Sequence, residues 1–512
     1  MRIDTKENNQ IQSWFKHHKN LRPEKTFIFS IDQKKKVSFN EAYKINCQIS
    51  NFLKERKIKA NDRIALLSNN SIEHLMTYLG VMSYGATVCT INIESNPTNI
   101  NNILNRIAPR LILYEASLGL LNFETSIETL PLGFWQDQKT ESFFKKLHYI
   151  TDADIGLSLN NPEDIASIFF TSGTETKPKG VICSFEDLVR NTIAVVESFG
   201  IKKEDRILEF RSFNWMSAQV LSGLGSLCMG STLLLARKFS VSQYFNWIKN
   251  FQATIATGNP TTINMLNNRP TSLSSDEIPH LRFMTSSSAP LLVEDWKRFE
   301  ALYEIPISQG YGASECGWIA GSNEKNRRLG SVGRPLKYQN VKIIDNAGKC
   351  QPENIQGNIA INPSKNKEYL YLGEDGEIKT DGVGSLITGD IGYIDDDGFL
   401  FVTGREKDLI ITGGVNVSPL EIENVLMELD SIVEAAAIGI KDQIYGEQVV
   451  AFVVLLDGVD EKREKILDHC QQKLAKMKIP RLIEFLDKLP KTTRGKLDRN
   501  KLKNIYSNLN QK

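Results

Sequence analysis

The residues best suited to chemistry lie in one run, Thr171-Ser172-Gly173-Thr174-Glu175-Thr176-Lys177-Pro178-Lys179-Gly180. An apolar strand pattern at 166–170 precedes it. A helical pattern at 185–199 follows, opened by Ser184 with Asp187 three residues on. In such a loop glycines let backbone N–H groups approach phosphate oxygens, hydroxyls donate to them, and lysine neutralises their charge. The chemistry indicated is polyphosphate binding; a plain surface turn rarely gathers so many donors of this kind. The loop is not a Walker A sequence. Counted from Gly173, the second glycine falls on Pro178 and the terminal hydroxyl on Gly180. Nor is there a dinucleotide fingerprint, because Gly223-Leu224-Gly225 lacks a third glycine at Cys228.

Four further segments follow in order: Gln309-Gly310-Tyr311-Gly312-Ala313-Ser314-Glu315; Thr388-Gly389-Asp390; the run from Gly404-Arg405-Glu406-Lys407-Asp408 to Gly413-Gly414-Val415-Asn416; and Pro490-Lys491-Thr492-Thr493-Arg494-Gly495-Lys496. In this order and spacing the five segments resemble the acyl-adenylate-forming (AMP-binding) superfamily, of acyl-CoA synthetase, nonribosomal-peptide adenylation-domain and luciferase type. The resemblance runs from about Ser13 to Lys503. It implies a large multi-layer α/β N-terminal domain of mixed sheets and helices, residues 1–406. A small mobile α+β C-terminal domain, residues 407–512, would follow, hinged at Lys407.

The resemblance also assigns roles. A carboxylic acid and ATP would give an acyl adenylate and pyrophosphate, so two anions must meet and positive charge must be supplied. Thr171, Ser172, Gly173, Thr174 and Lys179 would hold phosphates, with Thr174 counted among the catalytic groups, and Glu315 would bind Mg2+. Ser287, Ser288 and Ala289 resemble the adenine-pocket strand. Tyr311 would stack on the base, within the nucleotide segment that includes Gly312 and Ser314. Asp390 would accept both ribose hydroxyls, and Arg405 would reach the same ribose. Lys496 would be the catalytic lysine, bridging the acid and the α-phosphate. A swing about Lys407 would then bring Gly413 and Gly414 to the site, where small residues leave room for the phosphopantetheine arm of CoA or of a carrier protein.

Two departures from the family pattern stand out. Glu175 and Thr176 replace the small or hydroxyl residues usual in that phosphate loop, and a Cβ at Thr176 could stiffen it. Asn214 lies where many CoA ligases carry His and amino-acid activators carry Asp. It supplies no countercharge for an ammonium, which disfavours an α-amino acid and leaves fatty or aryl acids. Trp215 and Trp318, with Asn214, are expected at the acyl pocket, although such residues are as often plain core.

The elements that must position these residues read as alternating strands and helices, the rhythm of a doubly wound sheet. A strand start and helix are expected over 37–53, a strand over 63–67, a helix over 71–85 ending at Gly85, and a strand over 87–93. Beyond a seam near 404–408, Ser418-Pro419-Leu420-Glu421 reads as a capping box. Strands at 433–440, 449–456 and 481–486 and a helix at 460–474 complete a compact unit.

Composition is ordinary for a soluble globular protein. Of 512 residues, 41% are apolar and 24% charged, and 62 Lys and Arg balance 61 Asp and Glu to a net charge of +1. That balance argues against nucleic-acid binding through bulk positive charge and against a polybasic membrane anchor. The stretch between Arg211 and Arg237 is uncharged, yet its serines, glycines and Asn214 fit a buried helix, a turn and a strand at 233–236 better than a transmembrane segment. The seven cysteines are scattered without a CxxC pair, and no apolar leader opens the chain, so a cytoplasmic protein with reduced thiols is expected. The expected activity is acid–CoA ligation in fatty or aryl acid metabolism. Loading of a carrier protein is the alternative, and a regulator that binds nucleotide without catalysis is the third reading. Glu315, Asp390, Arg405 and Lys496 all being present argues against the last.

Overall fold

The computed structural model describes residues 9–118, 127–134, 141–170, 179–362, 368–492 and 496–509. Two large sheets dominate it. In the nine-stranded sheet, Ile307–Ala313, Phe283–Ser286, Ile255–Ala256, Arg206–Glu209, Thr232–Leu235 and Thr26–Ser30 run parallel in that order. In the eight-stranded sheet, Ile165–Phe170, Thr87–Thr90, Arg63–Leu67, Leu111–Tyr114 and Thr129–Pro131 do the same. Their near-continuous Ile, Leu, Val and Phe content follows from burial on both faces.

Helices fill the space between these sheets. Ile72–Tyr84 is buried along all 13 residues, as expected of a helix apolar all round. Ser71 caps its start through the His74 amide, and Gly85, at φ +102°, ends it in the left-handed region. The Ser38 and Glu41 side chains form a full capping box on Phe39–Glu55. These helices, with Gln10–Leu21 and Phe185–Phe199, share one core with strands of both sheets. The strand expected over 87–93 is shorter, ending at Thr90, although the Ile91 amide still bonds the Leu66 carbonyl at 3.0 Å.

A four-stranded antiparallel sheet follows, ordered Asn340–Ile344, Gly357–Asn362, Leu386–Ile394, Leu400–Arg405. The chain then enters a smaller C-terminal unit. Its sheet joins Val415–Val417, Ile410–Thr412, Gly446–Leu455 and Ile432–Asp442, with Leu482–Phe485 parallel to Gly446–Leu455. Residues alternate between its faces: Ala435 and Ala437 pack under helices Pro419–Met427 and Arg463–Lys473, and Ala436 and Ile438 under Arg499–Leu509.

Ser418 departs from expectation. It stands before Pro419 at the helix start, but its hydroxyl makes no cap bond. It donates instead to the Thr403 carbonyl at 2.5 Å, tying the unit to the preceding strand. The two units also meet where Asn264 Nδ2 donates to the Val433 carbonyl and the Val293 amide donates to Asn424 Oδ1, each at 3.0 Å. Among the described residues no helix is long and apolar enough to cross a membrane.

Candidate active site

Three of the expected segments lie beyond the parallel-paired parts of strands in the nine-stranded sheet, the end at which doubly wound sheets bind ligands. Ser287–Ala289 leaves Phe283–Ser286, Tyr311 lies in the neighbouring strand Ile307–Ala313 just past its parallel pairing, and Asn214 lies beyond Arg206–Glu209. Asn70 stitches the two sheets at this end. Its amide donates to the Arg211 carbonyl at 2.9 Å and its Oδ1 accepts from the Phe213 amide at 2.8 Å.

The best-defined group is Tyr311, Asp390 and Arg405. Asp390 and Arg405 face each other in register on adjacent strands, the spacing at which cross-strand side chains pair. Arg405 Nε donates to Asp390 Oδ1 at 2.7 Å, and the Tyr311 hydroxyl donates to Asp390 Oδ2 at 2.5 Å. The nine-stranded sheet is thereby joined to the four-stranded one. Asp390 is 4% exposed, whereas the Arg405 side chain keeps 47% of its surface in solvent. Burial, and then the Asp390 carboxylate, push the Tyr311 phenol far above its ordinary range, so it stays a donor. That hydroxyl is committed to Asp390, which leaves the ring face as the part of Tyr311 able to meet a base.

Glu315 and Ser314 sit in the turn between strands Ile307–Ala313 and Gly317–Gly321. Gly312 makes that hairpin possible, because a Cβ there would lie 2.6 Å from the Gly317 carbonyl oxygen. Glu315 is half-buried, and no hydrogen bond or ion pair engages its carboxylate among the described residues. No group of three or more His, Cys, Asp or Glu that could hold a metal occurs among those residues. A single open carboxylate fits Mg2+ held mainly by phosphate oxygens and water, and does not fit an all-protein cage. The neighbouring Cys316 thiol is pushed up by burial and by Glu315, which keeps it protonated rather than nucleophilic.

Of the phosphate loop, Thr171, Ser172, Gly173 and Thr174 lie outside the described residues, as do Glu175 and Thr176. Lys179 is described, and its Nζ lies 4.6 Å from the Tyr371 ring centroid. Ser288 adopts φ +78°, unusual for a residue with a Cβ.

Lys496 belongs to the small unit. Its amide donates to Thr492 Oγ1 at 3.2 Å and its carbonyl accepts from the Thr492 amide at 2.7 Å. Lys491, next to Thr492, makes an ion pair with Glu434. Lys407 is exposed on the short turn Glu406–Asp408 between the units. Gly413 and Gly414, at φ +57° and +79°, form the tip between Ile410–Thr412 and Val415–Val417. A Cβ on Gly413 would meet Met477 Cε at 2.6 Å, whereas Gly414 faces open space.

The three acyl-pocket residues divide. Asn214 is 5% exposed and donates to the Ser68 carbonyl and to Ser212 Oγ, each at 3.1 Å, while its Oδ1 meets no partner among the described residues. Trp215 is half-buried at the start of a short helix. Trp318 lies in the large core, edge-on to Phe199 at 5.3 Å, with its backbone held by Asn191.

Sequence reasoning missed a second polar group beside these segments, Glu209 with Arg211. The available signal was two opposite charges spaced by two residues at the end of an apolar strand, which places them on one side.

Residues 15–366 match the family of AMP-binding enzymes, and residues 421–496 match the AMP-binding enzyme C-terminal domain. The chain is 30% identical to 2-succinylbenzoate–CoA ligase of Bacillus licheniformis, over 96% of this chain and 99% of the relative. It is 28% identical to oxalate–CoA ligase of Arabidopsis thaliana, over 88% and 89%. Its fold is similar to the crystal structure of the anthranilate CoA ligase AuaEII with anthranoyl-AMP, with a TM-score of 0.87 at 24% identity and all of both chains covered.

Proposed function

From the premise that the chain belongs to the family of AMP-binding enzymes and is an AMP-forming acid–thiol ligase, we propose that it adenylates a fatty or aryl carboxylic acid with ATP and then transfers the acyl group to CoA. AMP and pyrophosphate are the other products.

The observation that carries this reading is the Tyr311–Asp390–Arg405 cluster. A carboxylate offers about four acceptor positions. Tyr311 and Arg405 take one on each oxygen, so each oxygen keeps one for the two hydroxyls of a ribose. In this reading the Tyr311 ring meets adenine beside Ser287, Ser288 and Ala289, with Gly312 and Ser314 in the same wall. Thr171, Ser172, Gly173, Thr174 and Lys179 hold the phosphates. Glu315 would hold Mg2+, which when bound neutralises phosphate charge. Lys496 places its ammonium between the acid and the α-phosphate, where charge develops. Asn214 and Trp215 border the acid, and the core position of Trp318 supports only an indirect part in that pocket.

Residues 1–406 form the large domain and 407–512 the small one. Rotation about Lys407 withdraws Lys496 and presents Gly413 and Gly414 to the thiol. The open space at Gly414 supports the last role.

The test is incubation with ATP, Mg2+, CoA and a panel of fatty, aryl and short dicarboxylic acids, with acyl-CoA and AMP quantified by mass spectrometry. Equal amounts of both with at least one acid are expected. AMP formed only when a phosphopantetheinylated carrier replaces CoA would overturn the choice of acceptor.

A further inference from the structure

We propose that Arg211, locked by Glu209, is a positioning residue for the nucleotide site, acting through Ser287. This inference rests on the reading of Ser287–Ala289 as the wall of that site.

Glu209 is fully buried at the end of strand Arg206–Glu209, and Arg211 is 7% exposed two residues later. Glu209 Oε1 accepts from the Arg211 amide at 2.8 Å and from its Nε at 2.9 Å, and Oε2 accepts from Nη2 at 2.6 Å. Two hydroxyls from other elements complete the carboxylate: Thr257 Oγ1 donates to Oε1 at 2.8 Å and Ser222 Oγ to Oε2 at 2.6 Å. A buried charge needs such saturation, and here Arg211, Thr257 and Ser222 supply it.

Arg211 then reaches out of the pair. Its Nη1 donates to Ser287 Oγ at 3.0 Å. The next residue, Ser288, holds the uncommon φ of +78°, a conformation that persists only where neighbours determine it. Ser222 lies within Gln219–Leu224, a π-helical turn, a feature that recurs at functional sites. A simple core ion pair would need neither the outward bond nor a strained neighbour. The planar fork of arginine suits this double task, since one edge grips Glu209 and the other grips Ser287. Lysine, a point donor on a flexible stem, cannot do both in fixed geometry.

The roles separate experimentally. Removing one charge strands the other in the core, so single variants at Glu209 or Arg211 conflate folding with function. The double variant Glu209→Gln/Arg211→Met removes both charges, and Ser287→Ala leaves the pair intact while deleting the link. ATP affinity is read by calorimetry and the melting temperature by scanning calorimetry, on wild type, the double variant, Arg211→Lys and Ser287→Ala. The expected result is an ATP Kd raised at least fivefold in Ser287→Ala and in Arg211→Lys, with the melting temperature of Ser287→Ala close to wild type. The KM for the acid should change less than that for ATP. A folded double variant, or Ser287→Ala alone if the double variant does not fold, that binds ATP as wild type does would overturn the proposal while leaving the adenylation reading intact. Wild-type protein that does not bind ATP would overturn both.

Discussion

Replacing Asp390 by Asn tests the nucleotide geometry with little disturbance of the fold. Asp390 gives one acceptor to the Tyr311 hydroxyl and one to Arg405 Nε, at 2.5 and 2.7 Å. The amide NH2 that replaces one oxygen cannot face Arg405, since both would be donors. It must turn to Tyr311, whose hydroxyl can rotate to accept. One side then keeps an acceptor for a ribose hydroxyl, and the other loses both acceptor and charge. A hydrogen bond to a charged group contributes about 1.5–3 kcal/mol, so ATP should bind roughly 10–150-fold more weakly. Stability should change little, because Arg405 is 47% exposed and its ion pair is screened by water. Calorimetric titration of ATP and AMP into wild type and Asp390→Asn gives the ratio. A variant that melts normally and binds both within twofold of wild type would refute the assignment of Asp390 to the ribose.

Gly414→Ala should leave pyrophosphate release intact and slow acyl transfer to CoA by on the order of tenfold; separate assays of the two half-reactions give the comparison. The added methyl meets nothing within 4 Å, so the effect would arise from the φ of +79° and from narrowing the thiol path. His18 and His74 are both buried, and burial lowers each imidazole from 6.5 to about 4. The unfolded chain therefore takes up protons below pH 6.5 that the folded chain refuses until about pH 4. Stability should fall across that window as pH drops, by up to about 3 kcal/mol for each histidine. Urea midpoints measured at several pH values should show a shallower fall in His74→Gln, and an unchanged slope would contradict this. In the small unit, Arg499 Nη1 bonds Glu423 Oε1 at 2.6 Å and the Ala437 carbonyl at 2.7 Å, with Glu423 buried. Arg499→Met should destabilise that unit by about 2–3 kcal/mol, seen as an earlier unfolding transition.

The site was legible wherever local sequence carries the chemistry. Asp390 and Arg405 stand in short distinctive segments, and their register pairs them across adjacent strands. The Ser71 and Gly85 helix ends follow from capping rules that involve only neighbours in sequence. What escaped depends on distant partners. The Ser418 pattern suits a capping box, yet its hydroxyl meets the Thr403 carbonyl, which no spacing within the helix reveals. An apolar indole serves a core as readily as a pocket, and only packing against Phe199 puts Trp318 in the core. Glu209 and Arg211 were visible as charges in an apolar run, but Thr257, Ser222 and Ser287, which make them one network, come from separate elements.

The account turns on adenylation that depends on Lys496. The most direct test is acid-dependent exchange of labelled pyrophosphate into ATP by wild type and by Lys496→Ala, with ATP binding measured on both. Exchange with at least one acid, reduced a hundredfold or more in Lys496→Ala while ATP still binds, is the predicted result. Exchange undiminished in the variant would contradict it.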